Sequence, residues 1–115
     1  MNTVSNNTEM NAILKEFARG NHKNSYLKIK EYLKRFPNDL VARYNSGVIA
    51  EKNKDIETAI ESYLIVINSS KDHWQSRNNL YLIYFHLKNY NKALKLVDEV
   101  LSIKPNYQPA LRDKA

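Results

Sequence analysis

The same short pattern recurs three times along this chain at a fixed spacing. KDIETAIESYL begins at Lys54, GNHKNSYLKIK begins 34 residues earlier at Gly20, and KNYNKALKLVD begins 34 residues later at Lys88. Each copy has the pattern of a turn followed by an amphipathic helix. A fixed period of this length is typical of an array of stacked helical hairpins, in which each hairpin buries an apolar face on the next. The period therefore predicts an all-α repeat fold.

Composition excludes several other classes of protein. The 115 residues are 43% hydrophobic and 26% charged, as in an ordinary globular domain. Two Gly and three Pro argue against a turn-rich β fold, and the lack of Cys excludes disulfides and thiolate metal sites. The start of the chain lacks the pattern of a signal peptide, and no stretch approaches the ~20 apolar residues of a membrane span. A cytoplasmic protein is therefore expected.

Apolar residues at helical spacing predict six complete helices and the start of a seventh. The first is expected to begin at a capping Asn6, with Glu9 as its reciprocal partner, after a frayed segment over residues 1–5. The later helices are predicted over residues 23–35, 41–52, 56–69, 74–87 and 90–102, followed by a start at Gln108. The expected caps of the third to fifth helices are Asp39, Asp55 and Asp72. The sixth helix is predicted to turn five residues inward: Ala93, Leu94, Val97, Val100 and Leu101.

These residues resemble the tetratricopeptide repeat family. Gly47 is the small residue that the family has midway through a first helix, and the segment ARYNSGVIAEKNKDIETAIESYL follows the family pattern throughout. The small residues early in the second helices are Ser25, Ala59 and Ala93, and the prolines at unit ends are Pro37 and Pro105. The resemblance implies an α-solenoid, a right-handed superhelical array of three antiparallel helix-turn-helix repeats. The repeats are expected at residues 6–39, 40–73 and 74–107, with the start of a capping helix at 108–115.

The resemblance also implies where a ligand binds, because the first helices of this family line a concave groove. Carried onto this sequence, the groove residues are Met10, Asn11, Leu14, Phe17, Tyr44, Asn45, Val48, Lys52, Gln75, Asn78, Asn79, Leu82, Phe85 and His86. This mixture of apolar, aromatic and amide side chains fits a peptide or protein segment with apolar anchors. The family members that hold acidic chaperone tails use a cationic cluster, and of its positions only Asn45 matches here. That ligand class is therefore rejected.

Catalysis finds no support in the sequence. The three histidines, His22, His73 and His86, fall in separate elements without the spacing of metal ligands. No Gly-rich phosphate loop is present, and no Ser–His–acid arrangement can be recognised. The sequence therefore predicts neither an enzyme nor a cofactor.

Three functions remain open. The first is an adaptor, scaffold or chaperone-like module that holds another protein in the groove. The second is a self-associating module, because the tail after Pro105 is short and leaves Leu94, Leu101 and Ile103 of the sixth helix available for contact. The third, which the sequence supports least, is nucleic-acid binding through the basic helix 23–35 of a chain with net charge +6.

Overall fold

A computed structural model describes residues 2–114 and the side chains of residues 8–113, and these residues form seven helices. The helices are α1 (Asn2–Ala18), α2 (His22–Arg35), α3 (Leu40–Lys52), α4 (Ile56–Ser69), α5 (Trp74–His86), α6 (Tyr90–Ile103) and α7 (Gln108–Lys114). Residues 2–114 contain no strand, and the all-α prediction is confirmed. The chain divides into two compact units, Met1–Ser62 and Tyr63–Ala115, so that α4 begins in the first unit and ends in the second.

The 34-residue period reappears in the backbone at the end of each first helix. Gly20, Lys54 and Lys88 have φ of 90°, 61° and 63°, which is the left-handed conformation that commonly ends a helix. In each case the next N–H bonds back to a carbonyl five residues earlier. These bonds are Asn21 to Glu16 at 3.0 Å, Asp55 to Ala50 at 2.9 Å and Asn89 to Tyr84 at 2.8 Å. The same turn is therefore built three times from different side chains.

In the first unit, α2 packs against both α1 and α3. The fully buried centre is Ile29, Tyr32, Ala42, Ile49 and Ala50. Tyr32 is completely buried, and its hydroxyl donates to Asp39 Oδ2 at 2.6 Å. Asp39 Oδ1 in turn accepts from the N–H of Ala42 at 3.1 Å and caps α3, as predicted. The buried Tyr32 hydroxyl thus finds an acceptor that also holds a helix end.

Tyr26 and Asp55 form a second pair of this kind in the first unit. The Tyr26 hydroxyl donates to Asp55 Oδ2, and Asp55 Oδ1 accepts from the N–H of Thr58 at 3.2 Å, so the predicted cap of α4 is confirmed. Near the same turn, Asn53 donates from Nδ2 to the carbonyl of His22 at 3.0 Å. The N-terminal ends of α2 and α4 are therefore joined by hydrogen bonds.

In the second unit, α6 packs against α5 and α7 packs against α6. The fully buried side chains include Tyr63, Val66, Leu80, Tyr81, Val97 and Val100. The Tyr81 hydroxyl donates to Asp113 Oδ2 at 2.8 Å, and Ala110 is completely buried. The Trp74 and Tyr107 rings lie 5.1 Å apart between their centroids. The C-terminal helix is thereby held on the unit at both of its ends.

Two predicted helix starts differ from the structure. Helix α1 begins at Asn2, so residues 2–5 are helical and Asn6 lies within the helix, because Asn marks a helix start without preventing an earlier one. The cap of α5 is His73, whose Nδ1 accepts from the N–H of Ser76 at 3.2 Å, instead of Asp72. The helix begins at Trp74, and the residue directly before it takes the capping position.

The predicted inner face of α6 also differs from the structure at one position. Leu94 was expected to point inward but is 44% exposed, whereas Leu96 is buried. The buried stripe runs through Ala93, Leu96, Val97 and Val100, at spacings of three and four residues. A helix turns about 100° per residue, and Leu94 lies off this stripe.

Candidate functional site

In the first unit, the predicted groove residues of α1 differ in their accessibility. Met10 is only 6% exposed and belongs to the core, so its side chain does not line a surface. Leu14 and Phe17 are half-buried, while Asn11 is exposed. The Phe17 ring contacts the His22 ring at 5.0 Å between centroids. His22 therefore packs against an aromatic neighbour, as a partly buried core residue does.

The predicted residues of α3 form a partly accessible row in the same unit. Tyr44, Asn45 and Val48 are half-buried, and Lys52 is exposed. Tyr44, Val48 and Lys52 follow one another at four-residue spacing, which places them on one side of the helix. This side combines an aromatic ring, an aliphatic side chain and a cation.

The predicted residues of α5 include two accessible apolar side chains in the second unit. Asn78, Leu82 and Phe85 stand at i, i+4 and i+7 and share one side of the helix. Leu82 is 40% exposed and Phe85 is 45% exposed, and Gln75 and His86 are exposed at the two ends of α5. We refer to Asn78, Leu82 and Phe85 as the α5 stripe. Exposed apolar side chains aligned in this way are a common feature of binding surfaces.

The α5 stripe carries no charge. Arg77 is the one Lys, Arg, Asp or Glu in α5, and it is 8% exposed. Its Nε donates to Glu99 Oε1 at 2.8 Å, and its Nη1 donates to the carbonyl of His73 at 3.2 Å. Because this guanidinium is turned inward and paired, the accessible side of α5 is left to amides and apolar groups.

The two asparagines of α5 have different surroundings. Asn79 donates from Nδ2 to the hydroxyl of the buried Tyr63 at 3.2 Å, so this predicted groove residue contributes to packing. Asn78 is half-buried, and its Oδ1 accepts no hydrogen bond within the described part of the chain. An amide oxygen without a donor costs roughly 1–3 kcal/mol relative to a bonded one. This oxygen is itself buried, so it adds no accessible hydrogen-bonding group to the α5 stripe.

Two residues outside the predicted set extend this surface. The Tyr90 ring meets the Phe85 ring edge-on at 5.4 Å, and Tyr90 is 50% exposed. Leu87, in the turn between α5 and α6, is 57% exposed. The signal was present in the period, since Phe17 and His22 precede Phe85 and Tyr90 by two repeats and make the same ring contact.

The residues predicted for self-association all lie on α6. Leu94 is 44% exposed, whereas Leu101 and Ile103 are half-buried. Two periods earlier, Tyr26 occupies the position of Leu94 and is 8% exposed. In the second unit this position is therefore open, although the corresponding position in the first unit is covered.

The cations of the basic helix α2 are partly neutralised within the first unit. Lys28 pairs with Glu16 and Lys34 with Glu31, each at 2.9 Å. Arg35 forms a hydrogen-bonded ion pair with Glu9, and that bond lowers the pKa of the Glu9 carboxyl. The hydrogen bond from Lys28 likewise lowers the pKa of Glu16. This pairing weakens the case for α2 as a nucleic-acid surface.

The described residues include no group of three or more His, Asp or Glu side chains placed to hold a metal ion. His73 acts as a helix cap, and burial lowers its pKa. None of the helices in the described part of the chain has the length and apolar character to cross a membrane.

Comparison with known proteins identifies the repeat. Residues 75–107 match a family model described as a tetratricopeptide repeat. A search of curated protein sequences finds no match. The sequence match thus covers the third of the three predicted repeats.

Solved structures match nearly the whole chain. The crystal structure of MamA has a TM-score of 0.80 and 17% identity, covering 87% of this chain and 58% of MamA. A MamA RS-1 ArsTM double mutant has a TM-score of 0.83 and 18% sequence identity, and the match covers 91% of this chain and 59% of that protein. YrrB is described as a TPR protein with an unusual peptide-binding site. It has a TM-score of 0.78 and 21% sequence identity, and the match covers 86% of this chain and 51% of YrrB. The chain thus has their fold and spans a little over half of their length.

Proposed function

We propose, given that this chain is a helical repeat array of the tetratricopeptide type, that it is a non-catalytic interaction module that binds a segment of another protein. The observation that carries the proposal is the α5 stripe, where the apolar side chains of Leu82 and Phe85 remain 40% and 45% exposed on an uncharged side of the helix. The partner is a peptide or protein segment with apolar anchors, as in an adaptor, scaffold or chaperone-like role. YrrB, the relative with a described peptide-binding site, supports this class of partner.

The chemistry of the α5 stripe suits an extended or helical peptide. Covering a Leu or Phe side chain that is 40–45% exposed contributes roughly 1 kcal/mol from removal of apolar area from water. The exposed Gln75 offers an amide that bonds peptide N–H and C=O groups, which fixes register. In the first unit, Tyr44, Asn45 and Val48 offer the same combination of ring, amide and aliphatic group. The proposed binding residues are thus the accessible members of the set that the sequence predicts.

The test begins with selection of ligands from a phage-displayed library of random peptides on the purified chain. A recovered peptide is then measured by fluorescence anisotropy against the Leu82→Ala, Phe85→Ala double variant and against Leu64→Ala. Leu64 is 39% exposed on α4 and serves as a matched loss of apolar surface away from the α5 stripe. The double variant should lose binding, while Leu64→Ala and the circular-dichroism spectra of both variants should match the parent. Selection of no peptide, or equal binding by the double variant, contradicts the proposal.

A second candidate function is self-association through α6. It is favoured by the exposure of Leu94, because Tyr26 at the corresponding position is covered by the turn that carries Asp55. Light scattering behind a sizing column should show a mass that rises with concentration and returns to that of the monomer, 13.5 kDa, in Leu94→Glu. A parent that stays monomeric at high concentration excludes this candidate.

A further inference from the structure

The first unit has a cleft lined by residues of α2, α3 and α4. Leu33, Ser46 and Ser62 form its floor, and each is less than 9% exposed. The Ser62 hydroxyl donates to the Ser46 hydroxyl at 3.5 Å. The charged side chains around this floor are Lys30, Lys34, Arg43 and Glu61. We call this the α2–α4 cleft, and its rim carries three positive charges and one negative charge.

The arginine at this cleft has a counterpart one repeat later. Arg43 and Arg77 are 34 residues apart, and in the second unit the Arg77 guanidinium is satisfied by Glu99 at 2.8 Å and by backbone carbonyls. Arg43 donates from Nε to the carbonyl of Pro37 at 3.1 Å, and no carboxylate pairs with it among the described residues. In sequence, the residue that corresponds to Glu99 is Ile65. The chain thus keeps the cation at this position and lacks the internal anion.

The other two cations at the rim are also available to an anion. Lys34 pairs with Glu31, but their side chains are 71% and 69% exposed, and such a surface pair contributes little. Lys30 lies with Nζ 4.0 Å from the centre of the Tyr26 ring, and its charge helps to lower the pKa of Asp55, so the ammonium group is only partly compensated by that carboxyl. An incoming carboxylate therefore meets three cations, one of which is a guanidinium suited to a two-point hydrogen bond.

We infer that the α2–α4 cleft binds an acidic segment of a partner protein, with a side-chain carboxylate bonded to Arg43 and flanked by Lys30 and Lys34. The buried hydroxyls and Leu33 on the floor fit the stem of a Glu or Asp side chain better than a bare ion. This site is separate from the α5 stripe and stands whether or not that stripe binds a peptide.

A nucleic acid fits this cleft less well. Single strands bind where bases stack on accessible rings, but the ring nearest the cleft, Tyr26, is 8% exposed and has Lys30 over its face. Glu61 at the rim, together with Glu31 beside Lys34, would repel a continuous phosphate backbone. A protein segment can place separate carboxylates between these acids.

The test uses a fluorescently labelled peptide of alternating Glu and Ser, with a Gln–Ser peptide of the same length as its neutral control. Anisotropy is measured at low and at physiological salt for the parent and for three single variants. Arg43→Gln should weaken binding by about tenfold or more, which corresponds to roughly 1.4 kcal/mol. Glu61→Gln should strengthen binding, because it removes a negative charge from the rim.

Arg19→Gln is the matched control, since Arg19 is exposed in the turn after α1, lies in the same unit and carries the same charge. Its effect on binding should stay below about twofold, as for an exposed charge outside a contact. Circular dichroism and melting verify that each variant folds. The Leu82→Ala, Phe85→Ala variant should bind the acidic peptide normally, which separates the failure of either proposal from the other.

Three outcomes overturn the inference. One is that the parent does not bind the Glu–Ser peptide. Another is that Arg19→Gln weakens binding as much as Arg43→Gln, because the attraction then comes from overall charge. The third is that a labelled single-stranded RNA of the same length binds more tightly than the peptide and loses that affinity in Arg43→Gln.

Discussion

Glu99 accepts a hydrogen bond from Arg77 Nε at 2.8 Å, and the two side chains are 35% and 10% exposed. The same guanidinium also donates to the carbonyls of Ser70 and His73, so it ties the turn between α4 and α5 to α6. Such a group acts as a clamp because its several donors are satisfied together.

We expect Glu99→Ala to lower the free energy of unfolding by about 1–3 kcal/mol, because it leaves a nearly buried guanidinium without its anion. The lower value of this range allows for the partial exposure of Glu99, because solvent weakens its interaction with Arg77. Urea unfolding followed by circular dichroism measures the effect. Glu31→Ala breaks an ion pair whose side chains are 71% and 69% exposed and should change the free energy by less than about 0.5 kcal/mol. Equal effects would mean that Arg77 is not held as described.

The Tyr32 hydroxyl should also contribute measurably to stability. Its bond to Asp39 is made at a fully buried ring, and the partner is the charged cap of α3. Tyr32→Phe is expected to cost about 1.5–3 kcal/mol in the free energy of unfolding, the usual range for a hydrogen bond to a charged group. Tyr90→Phe, on a 50% exposed ring, is the control and should be neutral within about 0.5 kcal/mol.

Glycine substitutions in the left-handed turns are expected to raise stability, whereas the two preceding substitutions lower it. Lys54 and Lys88 adopt φ of 61° and 63°, where the first repeat has Gly20 at 90°. A side chain in this conformation costs roughly 1 kcal/mol, part of which is offset because Gly makes the unfolded chain more flexible. Lys54→Gly and Lys88→Gly should therefore each raise the melting temperature slightly. Lys92→Gly, inside α6, should lower it, since Gly in a helix costs about 1 kcal/mol. A loss of stability in both turn variants would contradict the turn geometry.

His73 makes the stability of the second unit dependent on pH. Its Nδ1 accepts the capping hydrogen bond from Ser76, and burial lowers its pKa from the ordinary value of 6.5. Between the lowered pKa of the folded state and 6.5, the unfolded chain binds more protons than the folded chain. The stabilising contribution of neutral His73 is therefore fully present above pH 6.5 and is lost as the pH drops through the folded pKa. Melting temperatures should accordingly decrease from about pH 7.5 to about pH 5.5, above the range where carboxylates titrate.

His73→Asn isolates this contribution, because Asn is a good capping residue that does not titrate. The variant should be close to the parent at about pH 7.5 and more stable than the parent at about pH 5.5. If both proteins show the same dependence on pH, the cap does not rely on neutral His73.

The sequence predicts the helices well because their determinants are local and are repeated. Asp39 and Asp55 were identified as caps from sequence, and each accepts the expected backbone hydrogen bond. The cap of α5 was misplaced by one residue, since a neutral histidine can cap a helix and Asp72 is the more usual choice. The pairs Tyr26–Asp55 and Arg77–Glu99 join residues 29 and 22 positions apart, and no local pattern indicates them.

For the candidate site, the helical period predicts only which residues share one side of a helix. The period aligns Asn78, Leu82 and Phe85 on one side of α5. The period does not show which of these residues are covered by neighbouring helices. It therefore assigns Met10 and Asn79 to the groove, although Met10 is buried and Asn79 bonds to Tyr63. The inference about the α2–α4 cleft depends on the lack of a carboxylate partner for Arg43 among the described residues, which becomes visible only when two repeats are compared in three dimensions.

The bond between Tyr26 and Asp55 makes the folding of neighbouring hairpins interdependent. Asp55 caps α4 through Thr58, while its other oxygen is held by a ring that belongs to α2. Opening of the first hairpin would therefore free the cap of the next one, as expected of nearest-neighbour coupling in a linear array. In hydrogen–deuterium exchange, the amides at the start of α4 should lose protection at the same rate as those of α2.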